Sequence, residues 1–141
     1  MSMDNIFGIA GSALNAQMVR MNISASNMAN AGSTASSEAD AYKAKRPVFE
    51  ALLSEQQANM GQNNLGGVKV VGLADDQTAH GQIHDPGNPN ADANGIVYLS
   101  NVNETGEMVE LMAAARSYQN NVEVINTARQ LMMRTLDITK A

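Results

Sequence analysis

A chain of 141 residues has room for one domain, or for a helical part and a small second unit. Its net charge of −5 is spread thinly, with no cluster of Lys and Arg, which argues against a phosphate-binding surface and so against a nucleic-acid partner. Cysteine is absent, so disulfides, thiolate metal sites and cysteine nucleophiles are excluded; that suits a protein that crosses or occupies an oxidising compartment.

The N-terminal stretch "NIFGIAGSALNAQMVRMNISASNMANAGS" predicts a helix. Counting in alternating fours and threes, Phe7, Gly11, Leu14, Met18, Met21, Ala25 and Met28 form a seam with no polar break. The helix is expected to stop near Asn30, where Gly32 and the Ser/Thr-rich "AGSTASSEADA" supply a terminator and a linker. Through residue 30 it carries only two charges, Asp4 and Arg20. Its other positions hold small residues and amides such as Asn15, Gln17, Asn22 and Asn27. Small residues permit close helix approach, and amides tolerate burial where they find hydrogen bonds. No apolar run is long enough to span a membrane. A cleavable signal peptide is not expected either, because Asp4 precedes any Lys or Arg and no apolar block follows.

The middle, roughly residues 40 to 102, lacks helical periodicity and reads as short strands and turns. "YKAKRPVFEALL" begins extended, with Pro47 favouring a sheet edge. "GGVKVVGLADD" and "GIVYLSNV" are β-rich runs, and "DPGNPNADANG" is dense in turn residues. "SEQQANMGQNN" is polar and is expected to be mobile. Three groupings here carry a hint of chemistry. His80 and His84 have the i, i+4 spacing of a zinc-binding helix, but Gly81 and "DPG" oppose a helix, and the better reading is loop histidines. Asn90, Asp92 and Asn94 followed by Gly95 mimic part of a calcium loop. The twelfth position, however, holds Asn101 in place of the bidentate Glu, so a turn entering a strand explains the run better. Asp75 and Asp76 lack a partner acid or base. No nucleophile elbow, phosphate loop or dinucleotide fingerprint is present, so neither catalysis nor a cofactor or metal is expected.

A second helix is predicted from about Asn103, with Asn103 or Thr105 as its cap, Glu104 and Glu107 near its positive end, and Arg134 and Lys140 near its negative end. Its seam runs Met108, Leu111, Ala115, Tyr118, Val122, Ile125, Arg129, Met132 and Leu136, broken only by Arg129. The fold class is therefore α+β: long N- and C-terminal helices paired as a coiled-coil-like hairpin, with a small β-rich insert. The expected division is 1–32 and 103–141 for the helical part and 33–102 for linker and insert. Apolar residues also spill beyond the seams: Ile6, Ile9, Val19 and Ile23 on the first helix, Val109, Met112, Val124, Leu131 and Met133 on the second. An isolated antiparallel pair covers one stripe per helix and leaves these wet, so other molecules are expected to cover them. The candidate interface residues are thus Phe7, Leu14, Met18, Met21, Met28, Leu111, Tyr118, Val122, Ile125, Met132 and Leu136. The competing class is a cytoplasmic helical-hairpin adaptor or export chaperone that binds amphipathic helices.

These segments also carry a family resemblance. "SASNMANAGS" resembles the segment that opens flagellar rod, hook and hook-associated proteins. The stretch "DPGNPNADANGIVYLSNVNETGEMVELMAAARSYQNNVEVINTARQLMMRTL" is similar to basal-body rod proteins of the proximal-rod, FlgC type. The resemblance covers residues 4 to 32 and 84 to 136, with "YKAKRPVF" and "GGVKV" related between them. The chain departs from the family in having Ile96 where an aromatic is usual, Ser100 where a proline precedes "NV", and Asn120 in place of a small Ala. The resemblance implies a non-enzymatic structural subunit, exported through the flagellar type III apparatus without signal cleavage and without inserting in the membrane. It implies polymerisation, with copies of itself, other rod proteins and rod–ring junction proteins, into the hollow torque-bearing rod of the periplasm. The paired terminal helices would form the inner wall and the β unit would lie outside.

Overall fold

The computed structural model describes residues 3–52 and 66–140. Helix α1 spans Met3–Ala29 and helix α2 spans Glu104–Lys140; five strands lie between them, β1 Thr34–Ala35, β2 Lys45–Ala51, β3 Val68–Asp75, β4 Gln82–His84 and β5 Ile96–Leu99. The two helices are in close contact and flank a small antiparallel insert, which is the α+β arrangement expected from the periodicity. The polar run at 54–64 lies outside the described residues.

Local chemistry sets both helix boundaries. At the end of α1 the Asn30 N–H donates to the carbonyls of Ser26 and Asn27, at 3.2 and 3.0 Å, and its side chain returns to the Ser26 carbonyl at 2.8 Å. These bonds close the last turn just before Gly32. Asn103 is the cap of α2: its Oδ1 accepts the Gly106 N–H at 3.0 Å, satisfying one of the helix's first free donors. At 1.5 Å per residue, α1 is roughly 40 Å long and α2 roughly 55 Å.

Strand β5 is the centre of a three-stranded antiparallel sheet ordered β1-β5-β4. Thr34 faces Leu99 and Ala35 faces Tyr98 on one edge; on the other, Gln82, Ile83 and His84 face Tyr98, Val97 and Ile96. Val97 is the buried residue of this sheet. Thus the Ser/Thr-rich linker supplies an edge strand, and His84 stands in a strand while His80 is in a loop. Strands β2 and β3 form a separate two-stranded ladder. The turn entering β5 depends on Asp92, whose Oδ1 accepts the N–H groups of Ile96 and Asn94, both at 2.8 Å. Gly95 sits there at φ +74°, and a Cβ on it would meet His84 and Pro86 at 3.0 Å, so only glycine fits.

By internal packing the chain falls into two compact units. One draws on Met1–Val19, Val48–Gly72 and Ala113–Ala141, the other on Arg20–Pro47 and Leu73–Met112. In the second unit two amides, one buried and one half-buried, organise residues 41–46. Asn27 of α1 is fully buried; its Nδ2 donates to the Lys45 carbonyl at 2.9 Å, and its Oδ1 accepts the Lys45 N–H at 2.9 Å and the Tyr42 hydroxyl at 3.1 Å. Asn101, just after β5, accepts the Ala44 N–H at 2.7 Å and donates to the Asp76 and Thr78 carbonyls at 3.1 and 2.9 Å. Ala41 and Ala44, between these anchors, are buried.

Two Asp side chains tie acid stability to these turns. Asp76 Oδ1 accepts the hydroxyl and the N–H of Thr78, at 2.6 and 3.0 Å. These bonds, with Arg46 nearby, hold its carboxyl below the ordinary range. The N–H groups of Ile96 and Asn94 do the same for Asp92. A carboxyl depressed in the folded state contributes stability that is complete above the unfolded value, about 3.9, and is lost as pH falls through the lowered folded value. The double variant Asp76→Asn/Asp92→Asn is therefore expected to lose less stability between neutral and strongly acidic pH than the natural chain. Denaturant midpoints across that range measure the difference.

Candidate subunit interface

The described residues contain no cluster of metal-ligating side chains and no helix long and apolar enough to cross a membrane. His80 is engaged structurally, its Nδ1 lying 2.8 Å from the Leu99 carbonyl. The Asn90–Gly95 run is a hydrogen-bonded turn, with Asp92 serving backbone N–H groups. Asp75 is paired with Lys45, and Asp76 lies 3.5 Å from Arg46. What remains to explain is the apolar surface of the helices.

On α1 the buried positions are Ala10, Ala16, Ile23, Ser24 and Asn27. Phe7, Leu14, Met21 and Met28 are half-buried and Met18 is exposed. On α2 the buried positions are Glu107, Ala114 and Ala128, each a multiple of seven apart. Leu111, Tyr118, Ile125 and Met132 alternate with them and are half-buried, while Val122, Arg129 and Leu136 are exposed. The most deeply packed line of α2 thus lies one residue before the Met108–Ala115–Val122–Arg129 line, and Arg129 faces solvent. Alanines are prominent among the buried helix positions, Ala10 and Ala16 on α1 and Ala114 and Ala128 on α2, where a methyl fits in less space than a Met or Val.

This packing leaves much of α2 uncovered. Met108, Val109, Met112, Val124, Leu131, Met133, Leu136 and Ile138 are all exposed. So are Val48, Phe49 and Leu52 of β2 and the residue after it, and Val71 and Leu73 of β3. In the first unit Ile6, Val124, Ala128 and Leu131 line an open groove of about 430 Å³, with Glu123 as its charged member. In the second, Arg20 of α1 pairs with Glu110 of α2.

Among the described residues the one buried charged side chain is Glu107, 1% exposed. Arg46 of β2 places Nη1 at 2.7 Å from its Oε1, an ion pair, while Oε2 has no hydrogen-bond partner among the described residues. Sequence reasoning placed Glu107 near the positive end of the helix; the signal for its burial is a contact from a strand some sixty residues away, which no local pattern contains.

Comparison with known proteins decides what this surface belongs to. Residues 93–138 match the family model described as "Flagellar basal body rod FlgEFG protein C-terminal". The flagellar basal-body rod protein FlgC of Yersinia enterocolitica is 50% identical over 138 residues, covering 98% of each chain. The chain belongs to the FlgC family of flagellar basal-body rod proteins. FlgC of Salmonella typhimurium is 46% identical over 98% of each chain, and FlgC of Buchnera aphidicola from Acyrthosiphon pisum is 43% identical over 99% of this chain and all of the relative. Like its FlgC relatives, this chain is a structural, non-enzymatic subunit of the periplasmic basal-body rod, and it assembles with other rod and basal-body proteins. Nothing supports the adaptor or chaperone alternative. Ser100 donates its N–H to the Ser33 carbonyl at 3.2 Å and its hydroxyl to the Ala31 carbonyl at 2.6 Å, two bonds that a proline there would lack.

Proposed function

We propose that this subunit polymerises through its terminal helices, residues 1–32 and 103–141, into the hollow axle that carries torque across the periplasm. Copies of itself, the flanking rod proteins and rod–ring junction proteins are its partners in that assembly. The observation that carries this reading is the row of exposed apolar side chains along α2, from Met108 to Ile138, in a chain of the FlgC family. Contacts between non-identical surfaces do not close on themselves and generate open helical arrays. Methionines, ten in the chain, suit such surfaces because an unbranched thioether repacks against neighbours in slightly different settings. Delivery follows from the same property: helices whose apolar faces are finished only by neighbours can pass a narrow type III export channel unfolded, without a cleaved signal, and become ordered on assembly.

Leu14→Asp and Ile125→Asp test the reading at half-buried positions of the two helices. Each is expected to abolish incorporation into the rod, and with it motility, while backbone amides of the β1-β5-β4 sheet keep their hydrogen-exchange protection. Incorporation at the natural level by either variant would overturn the proposal.

A further inference from the structure

All the sulfur in this chain is thioether sulfur: it has ten methionines, no cysteine, and no tryptophan to compete for a two-electron oxidant. Among methionines, susceptibility follows access. Met108 and Met112 of α2 are 47% and 65% exposed, whereas Met21 and Met28 of α1 and Met132 of α2 are half-buried. Met18 and Met133 are exposed as well. Of these four exposed methionines only Met108 and Met112 stand one helical turn apart, at i and i+4 on the same face.

Between them Val109 is exposed too, so Met108, Val109 and Met112 make one apolar patch on the second unit. Oxygen transfer to a thioether turns a flexible apolar side chain into a polar one with a strong acceptor oxygen. Here the helix cannot satisfy that oxygen from its own backbone. The N–H groups around Met108 and Met112 lie inside α2, past its first turn, and already bond along the helix. Burying such an oxygen without a donor is costly, and two adjacent sulfoxides double the cost within a single patch.

We propose that Met108 and Met112 are an oxidation site of the unassembled subunit, modified by peroxides, and that the two sulfoxides bar it from the rod until they are reduced. In each step the sulfur lone pair attacks one peroxide oxygen. An S–O bond forms, the O–O bond breaks, the sulfur gives up two electrons, and the other oxygen leaves as water with the proton of the transferred hydroxyl. A dithiol-dependent reductase reverses the change, its two thiols becoming a disulfide as the oxygen departs as water. Once neighbours cover the patch the oxidant has no access, so the device acts on the free subunit only. For this consequence the proposal rests on the self-assembly reading above; the selectivity of the oxidation does not.

Peptide mass spectrometry of the full-length chain in hydrogen peroxide is expected to show Met108 and Met112 gaining oxygen at least about fivefold faster than Met21, Met28 and Met132. Association of the oxidised chain, with itself and with other rod proteins, is expected to weaken at least about tenfold by sedimentation. A methionine sulfoxide reductase with dithiothreitol is expected to restore it. The variant Met108→Leu/Met112→Leu keeps the volume and removes both sulfurs. It is expected to match the natural chain in helix content and in association, and to keep its association after peroxide. Equal oxidation rates at exposed and half-buried methionines, an oxidised chain that associates normally, or a leucine variant as peroxide-sensitive as the natural chain would each overturn the proposal and leave the self-assembly reading standing. If the untreated natural chain binds neither itself nor another rod protein, both fall.

Discussion

Replacing Asn27 by leucine is expected to destabilise the protein by about 3 kcal/mol, a large share of the stability of a domain this size. The side chain is fully buried and serves three partners at once: the Lys45 N–H, the Lys45 carbonyl and the Tyr42 hydroxyl. Leucine keeps its branching, with bulkier methyls, but leaves all three groups short of a partner, and a buried group left unpaired costs more than a hydrogen bond normally contributes. Tyr42→Phe removes one partner and leaves the amide's two backbone bonds intact, so it is expected to cost about 1 kcal/mol or less. Denaturant unfolding measures both. Hydrogen exchange at the Lys45 amide supplies the local readout, fast in Asn27→Leu and slow in Tyr42→Phe. Equal stabilities for the two variants would mean that the Asn27–Lys45 bonds do not anchor this segment.

Arg46→Ala is expected to cost about 2–3 kcal/mol, although Arg46 is nearly half exposed and would pass for a surface residue. The loss comes from Glu107, which remains buried with neither its cation nor a hydrogen bond to replace it. The range stands below the figure for a fully buried pair because the guanidinium is partly solvated. Converting both residues to apolar ones, Arg46→Met with Glu107→Leu, is expected to return stability to within about 1 kcal/mol of the natural chain, since the desolvation penalty disappears with the charge. The four-member cycle of unfolding midpoints isolates the coupling. A double variant as unstable as Arg46→Ala would show that packing around the Arg46 stem, not the buried charge, sets the cost.

Both residues show where sequence reasoning stops. Asn27 could be marked as an amide fit for burial, because it stands in a helix nearly free of charge, but its partners at Tyr42 and Lys45 come from beyond the linker. Glu107 reads locally as an acid near a helix N-terminus, where the dipole favours it; Arg46 arrives from β2 and makes it an interior residue. Strands β1 and β4, two and three residues long, carry too few positions for any alternation to register. They exist because β5 offers both its edges. The seam shows the same limit: counting large apolar residues selects the line through Met108 and Val122, whereas the buried positions of α2 are Glu107, Ala114 and Ala128.

The sequence by itself determined the two long helices, the stop of the first near Asn30, the strand-like character of the middle, the lack of any catalytic motif, and a surplus of apolar surface at both ends; it left the cap of the second helix between Asn103 and Thr105. All of these are written in neighbouring residues through period, turn chemistry and composition. Only the tertiary structure decided which face of each helix is innermost, which amide and which carboxylate are buried, and which apolar side chains stay exposed. The reason is that burial is a property of pairs: a side chain's surroundings are fixed by residues tens of positions away, and close packing selects for fit between them over the hydrophobicity of either one.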